Sequence, residues 1–190
     1  MKIILLRHAE TDLNINGKFI GCEVDPDINS NGKIQSEVTA EYLKRNYTIN
    51  KMYCSNMQRA KSTLNIISEI LNFNKENIIY TSKLKESCKE LAKKELDLDP
   101  ELKKEYKLIL ADRAVNTLKE IINENNIDDN ILIVSHGAII KSLIKKIMKV
   151  DEIEKNVVTE VGNCTLTIFD LCEDEDELKL IKCYDNSHLK

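Results

Sequence analysis

Two histidines in this chain directly follow short apolar runs. Residues 3–6 lead into Arg7 and His8, and residues 131–134 lead, after one serine, into His136. A neutral imidazole is a good nucleophile toward phosphorus, and an imidazole N–H can donate a hydrogen bond to a phosphoryl oxygen. The chain has three histidines in all. Two of them in matching positions therefore predict one site that contains both and carries out covalent phosphoryl transfer.

Two arginines add donors for an anion at the same place. Arg7 precedes His8, and Arg59 lies in the first turn of a predicted helix that begins where a predicted strand ends. Arginine presents a planar fork of N–H groups that suits phosphate oxygens, and a helix N-terminus, such as the one predicted at Gly137, adds backbone N–H groups. Together these groups predict a cradle for a phosphate.

Metal binding is the competing use of two histidines. An arginine close to each candidate ligand would repel a cation, and no carboxylate lies at a familiar ligand spacing. We therefore expect neither a metal ion nor a cofactor.

The apolar runs also predict the elements that position these side chains. Such runs are typical of strands buried on both faces, and residues that follow them lie at the carboxyl edge of the sheet, where open α/β sheets bind ligands. The acidic run at residues 173–177 is expected to be a solvated hairpin turn. The predicted strands are residues 3–6, 51–54, 78–81, 131–134, 165–171 and 178–184, and the predicted helices are residues 33–47, 57–71, 102–122 and 137–149.

Length and composition describe one domain of ordinary size. The 190 residues are 42% hydrophobic and 32% charged, and a net charge of −4 with mixed signs favours neither nucleic acid nor an anionic membrane as a partner. We expect a single domain over residues 1–190 with a short charged cap segment at about 83–113. No apolar run approaches the ~20 residues that span a bilayer, so we expect a cytoplasmic protein, acting alone or as a homodimer.

The cysteine pattern predicts reduced thiols. The six cysteines lie far apart with no Cys-x-x-Cys pair, which argues against a disulfide framework and against a zinc knuckle. We expect these side chains to be mostly buried.

An ordered set of short motifs extends through most of the chain. It consists of Leu6-Arg7-His8-Ala9-Glu10-Thr11, Asn14, Gly17, Gly21, Asp25-Pro26, Asn31-Gly32-x-x-Gln35, Ser55-Asn56-Met57-Gln58-Arg59-Ala60-x-x-Thr63, Leu84-Lys85-Glu86, Val134-Ser135-His136-Gly137 and Asn163-Cys164-Thr165. In this order and rough spacing, the set resembles the histidine phosphatase superfamily (branch 1), the phosphoglycerate mutase-like proteins, from residue 3 to about residue 170. The resemblance implies a three-layer α/β/α sandwich with a mostly parallel central sheet.

The resemblance also implies roles for individual residues. His8 would be the nucleophile, and Glu86 would be the general acid. The groups expected to hold the transferred phosphoryl group are Arg7, Asn14, Arg59 and His136, with Gly21 and Gly137 also at the substrate. Asn14 and Gly21 are residue types that turns favour as well, so a role in the turn alone is the alternative for both.

The general acid has more than one candidate in this sequence. Glu86 lies in a lysine-rich stretch, where a solvated surface glutamate is the alternative. Protonating a leaving alkoxide requires a carboxyl group whose pKa is raised by its surroundings. Glu90 and Glu10 are the other candidates for this role.

Departures from the family pattern favour hydrolysis over isomerisation. Ser87 stands where mutases usually have an arginine for the second charged group of the substrate, and the segment after Glu86 lacks the Gly and Trp that many relatives have there. Ala9, in place of the glycine that usually follows the nucleophile, is a small change. The expected activity is hydrolysis of a phosphate monoester of a small metabolite, such as α-ribazole phosphate, through a phosphohistidine on His8. A cofactor-dependent phosphoglycerate mutase and a non-catalytic phosphate-binding regulator are the two alternatives.

Overall fold

A six-stranded sheet with helices on both sides forms the structure. The computed structural model describes residues 1–15, 21–88, 100–149, 161–171 and 177–190. The strands are β1 (Lys2–Arg7), β2 (Lys51–Ser55), β3 (Ile78–Thr81), β4 (Asn130–Ser135), β5 (Leu166–Leu171) and β6 (Leu178–Asp185). The helices are α1 (Ser30–Asn46), α2 (Gln58–Ile70), α3 (Pro100–Asn123) and α4 (Gly137–Ile147), and short 3-10 turns cover Lys75–Asn77, Ser82–Leu84 and Ser187–Leu189.

The sheet is mostly parallel, as predicted. Its strand order is β3-β2-β4-β1-β5-β6. The first four strands in this order are parallel neighbours, whereas β5 is antiparallel to both β1 and β6. The first strand of the chain therefore lies inside the sheet, between β4 and β5.

The register of the parallel strands brings the two histidine motifs together. Arg7 pairs with Ser135 across β1 and β4, and Cys54 pairs with Val134 across β2 and β4. Because parallel strands end at the same edge of the sheet, the residues that follow β1, β2 and β4 meet there. His8 and His136 each come one residue after a strand end and share this edge.

Two apolar clusters fill the space between the sheet and its helices. In β1, Ile3 and Leu5 face a cluster that includes side chains of α3 and α4, while Ile4 and Leu6 face a cluster with α1 and α2. All four β1 side chains are at most 1% exposed. Burial on both faces explains why these strands are continuous apolar runs rather than alternating ones.

The first helix begins three residues before its predicted start. Asn29 caps it, since its side chain accepts a hydrogen bond of 2.8 Å from the N–H of Gly32. Gly32 also lies so close to the backbone of Glu10 that an added Cβ would overlap the Glu10 carbonyl oxygen. Asn29 and Gly32 belong to residues 12–32, a stretch rich in Asn and Gly, so apolar periodicity alone did not include them in the helix.

Other predicted boundaries agree closely with the structure. Strand β3 has the predicted bounds, β1 and β4 extend one residue further at both ends, and β2, β5 and β6 differ by one residue at one end. Helix α3 runs from Pro100, inside the predicted cap segment, without interruption to Asn123. The predicted acidic turn, apart from Glu177, and residues 89–99 of the cap segment lie outside the described residues.

The prediction that all cysteines are reduced is wrong for one pair. Cys22 and Cys88 form a disulfide, with their Cα atoms 4.7 Å apart and a separation of 66 positions in sequence. Cys54 and Cys164 are buried free thiols, and Cys183 is a half-buried one. The two cysteines are so far apart in sequence that their spacing could not predict the pairing.

The helices in the described part of the chain include none that is long and apolar enough to cross a membrane.

Candidate active site

His8 is a buried imidazole with a defined tautomer. Its side chain is 2% exposed, and its Nδ1 lies 2.8 Å from the carbonyl oxygen of Ala9. A carbonyl oxygen only accepts, so Nδ1 carries the proton and Nε2 keeps its lone pair. Arg59 Nε donates a hydrogen bond of 3.2 Å to that Nε2. The contacts therefore present a neutral imidazole with a basic nitrogen toward Arg59.

The surroundings of His8 oppose its protonation. Burial lowers the pKa of His8 well below its usual value, and the positive charges of Arg7 and Arg59 lower it further, while the hydrogen bond to Ala9 acts in the opposite direction. A neutral ring over the physiological pH range is the form required of a nucleophile.

Arg59 is held by a backbone turn on one side and by His8 on the other. It is 1% exposed and lies in the first turn of α2. Its Nη2 donates to the Gly21 carbonyl at 3.1 Å, and its Nη1 donates to the Val24 carbonyl at 3.2 Å and lies 3.5 Å from an Asp25 carboxylate oxygen. Gly21 has φ 69°, a conformation that favours glycine. Burial lowers the pKa of Arg59, while Glu86 and Asp25 act in the opposite direction.

His136 lies next to His8 and has one nitrogen engaged. The two ring centroids are 5.1 Å apart, and His136 Nε2 lies 2.8 Å from the Ser55 hydroxyl. Its Nδ1 is buried and has no hydrogen-bond partner among the described residues. Burial lowers the pKa of His136 well below its usual value, and the nearby His8 and arginines lower it further. The site therefore holds a second nitrogen that an incoming anion could contact.

Asn14 offers another inward donor. Its Oδ1 accepts a hydrogen bond of 2.9 Å from the N–H of Thr11, which fixes the orientation of the amide. Its Nδ2 is buried and lacks a hydrogen-bond partner in the described part of the chain. A buried amide donor held in this way is suited to an oxygen of a bound anion.

Arg7 and Gly137 lie together at the ends of β1 and β4. Arg7 Nη1 donates to the carbonyl oxygen of Val161, and a Cβ added at Gly137 would lie 3.6 Å from Arg7 Nε. The arginine side chain thus crosses the N-terminus of α4 at a position where the helix has no side chain.

Glu86 is buried at the N-terminus of α4. It is 7% exposed; one carboxyl oxygen accepts from the N–H of Ser87 at 2.8 Å and the other from the N–H of Ala138 at 3.5 Å. Burial raises the pKa of Glu86, while these two hydrogen bonds and the charges of Arg59 and Arg7 oppose the rise. Burial makes this carboxyl group different from a solvated surface glutamate.

The other two candidate acids differ from Glu86. Glu10 accepts hydrogen bonds from the side chains of Asn29 and Asn31, at 3.1 and 3.0 Å, so its carboxylate is engaged with the start of α1. Glu90 lies outside the described residues.

Four further residues support the site, although none of them was predicted to have a role of its own. The Thr63 hydroxyl accepts from the N–H of Ala9 at 2.9 Å, and Asn163 donates to the His8 carbonyl at 2.9 Å. Ser55 contacts His136, as described above. Arg113, on α3, donates to the Lys85 carbonyl at 2.6 Å, directly before Glu86. The first three belong to motifs that could have suggested them, whereas Arg113 lies in an ordinary amphipathic helix.

One group of potential metal-ligating side chains occurs among the described residues. Cys22, Glu23 and Cys88 place one ligand atom each within 4.8 Å of one another. The two sulfurs are bonded to each other, so neither is a thiolate that could bind an ion.

Comparison with known proteins now decides the family. The model of the histidine phosphatase superfamily (branch 1) matches residues 3–111 and 90–183. The chain belongs to this superfamily. As a histidine phosphatase superfamily member, it is a phosphatase-type enzyme with the predicted phosphoglycerate mutase-like fold.

Two curated relatives match nearly the whole chain. This superfamily member is 30% identical over 198 residues to the uncharacterized phosphatase PhoE of Bacillus subtilis, a match that covers 98% of this chain and 96% of that protein. It is 27% identical over 207 residues to phosphoglycerate mutase-like protein 4 of Arabidopsis thaliana, which covers all of this chain and 87% of that protein.

A solved structure extends the likeness to three dimensions. Phosphoserine phosphatase from Entamoeba histolytica, crystallised with 3-phosphoglyceric acid, superimposes with a TM-score of 0.78 at 25% identity and covers 100% of this chain and 99% of that one. The superposition extends over both halves of the sheet, including the strands that end at the site.

Proposed function

We propose that this protein is a phosphomonoesterase that hydrolyses a phosphate ester of a small metabolite through a covalent phosphohistidine on His8. The observation that carries the proposal is the tautomer of His8, whose Nδ1 donates to Ala9 and whose Nε2 faces Arg59 with its lone pair. A buried, neutral imidazole between cationic groups is a nucleophile aimed at the place where an anion would bind.

In the first step, His8 Nε2 attacks phosphorus and the bond from phosphorus to the leaving oxygen breaks. Negative charge is then spread over three equatorial phosphoryl oxygens. Arg7, Arg59, Asn14 and His136 are the proposed donors to these oxygens. Because they are already fixed in a largely buried site, they stabilise that charge without having to reorganise.

Glu86 is the proposed proton donor in this step. Its raised pKa favours the protonated form that a leaving alkoxide needs. In the second step the resulting carboxylate takes a proton from water, the water oxygen bonds to phosphorus, and the bond between phosphorus and Nε2 breaks. Inorganic phosphate leaves, and both His8 and Glu86 return to their starting forms.

The substrate class follows from the relatives only in outline. A phosphoserine phosphatase and a phosphoglycerate mutase-like protein are both similar to this chain, and both names refer to small phosphorylated carboxylic acids. We therefore propose a panel of phosphoserine, phosphoglycerates, sugar phosphates and α-ribazole phosphate as the set that will identify the substrate.

The test combines turnover with trapping of the intermediate. We expect the purified protein to hydrolyse p-nitrophenyl phosphate with a chelator present and, on acid-free quenching, to carry an acid-labile phosphoryl label. His8→Ala is expected to abolish both turnover and label, whereas Glu10→Gln, which changes a carboxylate at the start of α1, is expected to keep both.

Four outcomes would contradict the proposal. Normal turnover by His8→Ala would exclude His8 as the nucleophile, and loss of activity with chelator would indicate metal chemistry. Dependence of turnover on added bisphosphoglycerate, with isomerised product, would indicate a mutase instead. Phosphate binding with no turnover of any substrate in the panel would indicate a non-catalytic regulator.

A further inference from the structure

The disulfide joins two segments that both contact the proposed catalytic groups. Cys22 belongs to the 21–25 turn, whose Gly21 and Val24 carbonyls accept hydrogen bonds from Arg59. Cys88 lies two residues after Glu86. One covalent bond therefore connects the backbone that holds Arg59 with the backbone that carries the buried carboxyl group.

Among the described residues, two side chains anchor the backbone of the segment that carries Glu86. The Ser135 hydroxyl donates to the Leu84 carbonyl at 2.9 Å, and Arg113 donates to the Lys85 carbonyl. Both anchors precede Glu86 in the chain, whereas Cys88 follows it. The disulfide thus fixes the segment 84–88 from the other side. Its loss would leave the backbone of this segment anchored before Glu86 only, among the described residues, with the 3.5 Å hydrogen bond from the N–H of Ala138 as the remaining contact of the carboxyl group outside the segment.

We infer that Cys22 and Cys88 form a reversible, redox-sensitive link that sets the position of Glu86 and thereby the rate of general-acid catalysis. This inference rests on the proposed function for its effect on turnover. Both cysteines are half-buried, so small thiols and disulfides can reach them from solvent. In a reducing compartment, a disulfide of this kind is typically a redox-responsive one.

The chemistry is thiol–disulfide exchange with a low-molecular-weight disulfide of the glutathione type. The thiolate of one cysteine attacks the small disulfide, forms a mixed disulfide and releases one small thiol. The second cysteine then attacks the protein sulfur of that mixed disulfide and releases the other small thiol. The two protein sulfurs are oxidised, the small disulfide is reduced, and each protein thiol loses its proton. Excess small thiol reverses both steps.

Reduction of the disulfide should slow hydrolysis most for substrates whose leaving group must be protonated. An alkyl phosphate such as phosphoserine has a poor leaving group that must be protonated, whereas p-nitrophenolate leaves without help. We expect reduction to lower kcat/KM for the alkyl phosphate about tenfold and to change that for p-nitrophenyl phosphate by less than about twofold.

The experiment equilibrates the full chain in glutathione buffers of graded ratio, blocks free thiols, and maps linked peptides by mass spectrometry. We expect a Cys22–Cys88 peptide whose amount falls in parallel with kcat/KM for the alkyl phosphate. Cys22→Ser and Cys88→Ser should each behave like the reduced protein in every buffer. Cys183→Ser, which changes a half-buried thiol in β6, should respond as the unchanged protein does.

Hydrogen exchange supplies a readout that needs no turnover. Reduction, or Cys88→Ser, should speed amide exchange in residues 84–88 at least about threefold and leave β2 unchanged. If the protein had no phosphatase activity but showed this change, the proposed function would fail while the tether remained supported. Absence of the linked peptide under oxidising conditions, or wild-type exchange and leaving-group dependence in both serine variants, would overturn the inference.

Discussion

The Nε of Arg59 donates a 3.2 Å hydrogen bond to the Nε2 of His8, the nitrogen proposed to attack phosphorus. In the structure the N–H of Arg59 is therefore hydrogen-bonded to the same Nε2 lone pair that would attack phosphorus. A phosphoryl group must take the place of this contact, and Arg59 can then donate to one of its oxygens. The same N–H group would hold the imidazole ready before binding and stabilise phosphoryl charge afterwards.

The raised pKa of Glu86 predicts the alkaline side of the pH profile. The acid must be protonated, so kcat/KM for an alkyl phosphate should fall as pH rises through that raised pKa. Glu86→Gln should lower kcat/KM for the alkyl phosphate about hundredfold and remove this alkaline limb, with a much smaller change for p-nitrophenyl phosphate. Steady-state pH profiles of both proteins test this. An unchanged alkaline limb in Glu86→Gln would exclude Glu86 as the acid.

Asn14 should act through its amide N–H group. Asn14→Asp keeps an oxygen to accept from Thr11 and replaces the inward donor with an anionic oxygen. Repulsion of the phosphoryl group should lower kcat/KM about hundredfold or more, whereas Asn14→Ala, which loses the donor without adding charge, should cost about tenfold. Equal losses in both variants would indicate that Asn14 serves the turn rather than the substrate.

The buried histidines predict that acid destabilises the fold. The pKa values of the buried His8 and His136, and of the half-buried His188 in the Ser187–Leu189 turn, are all lowered in the folded protein. Below about pH 6.5 the unfolded chain binds protons that the folded chain refuses, so the free energy of unfolding should decrease as pH falls from that value toward the lowered pKa values.

Denaturant unfolding at a series of pH values measures this effect. One fully buried histidine contributes up to about 1.4 kcal/mol per pH unit to the slope, so His136→Gln should have a shallower dependence than the unchanged protein. If His136→Gln had the same slope as the unchanged protein, the pKa of His136 would be the same in the folded and unfolded states.

Gly32 should tolerate no larger side chain. A Cβ at this position would overlap the Glu10 carbonyl, and the backbone there cannot yield as a flexible side chain could. Gly32→Ala should lower the free energy of unfolding by more than about 2 kcal/mol. Gly137→Ala is the matched control, since its nearest contact would be an ordinary 3.6 Å to Arg7 and stability should be nearly unchanged. Equal stability of the two variants would contradict the expected overlap.

Sequence reasoning predicted the sheet and the meeting of the two histidine motifs for one physical reason. Strands buried on both faces show as unbroken apolar runs, and parallel strands end at one edge, so the positions of His8 and His136 follow from local patterns. The resemblance to a family added Glu86, which periodicity alone could not separate from the surrounding lysines.

What the sequence could not predict depends on long-range packing. The pairing of Cys22 with Cys88 depends on how two loops cross beside the site, and neither loop has a periodic pattern. Arg113 contacts the segment before Glu86 from a helix whose register along the sheet is set by tertiary contacts. Such contacts cannot be predicted from residue spacing, because the residues that make them are far apart in sequence and are brought together only by the tertiary fold.

The central place of β1 has a consequence for how the protein is made. Its partners on either side are residues 130–135 and 166–170, so among the six strands β1 is the one that must wait longest after its synthesis for its neighbours. Until β4 has emerged, the backbone N–H and C=O groups of β1 have no parallel strand to pair with. During translation this apolar segment would therefore be a natural client for a chaperone, and a product that ends before β4 would lack the strand that brings His136 to His8.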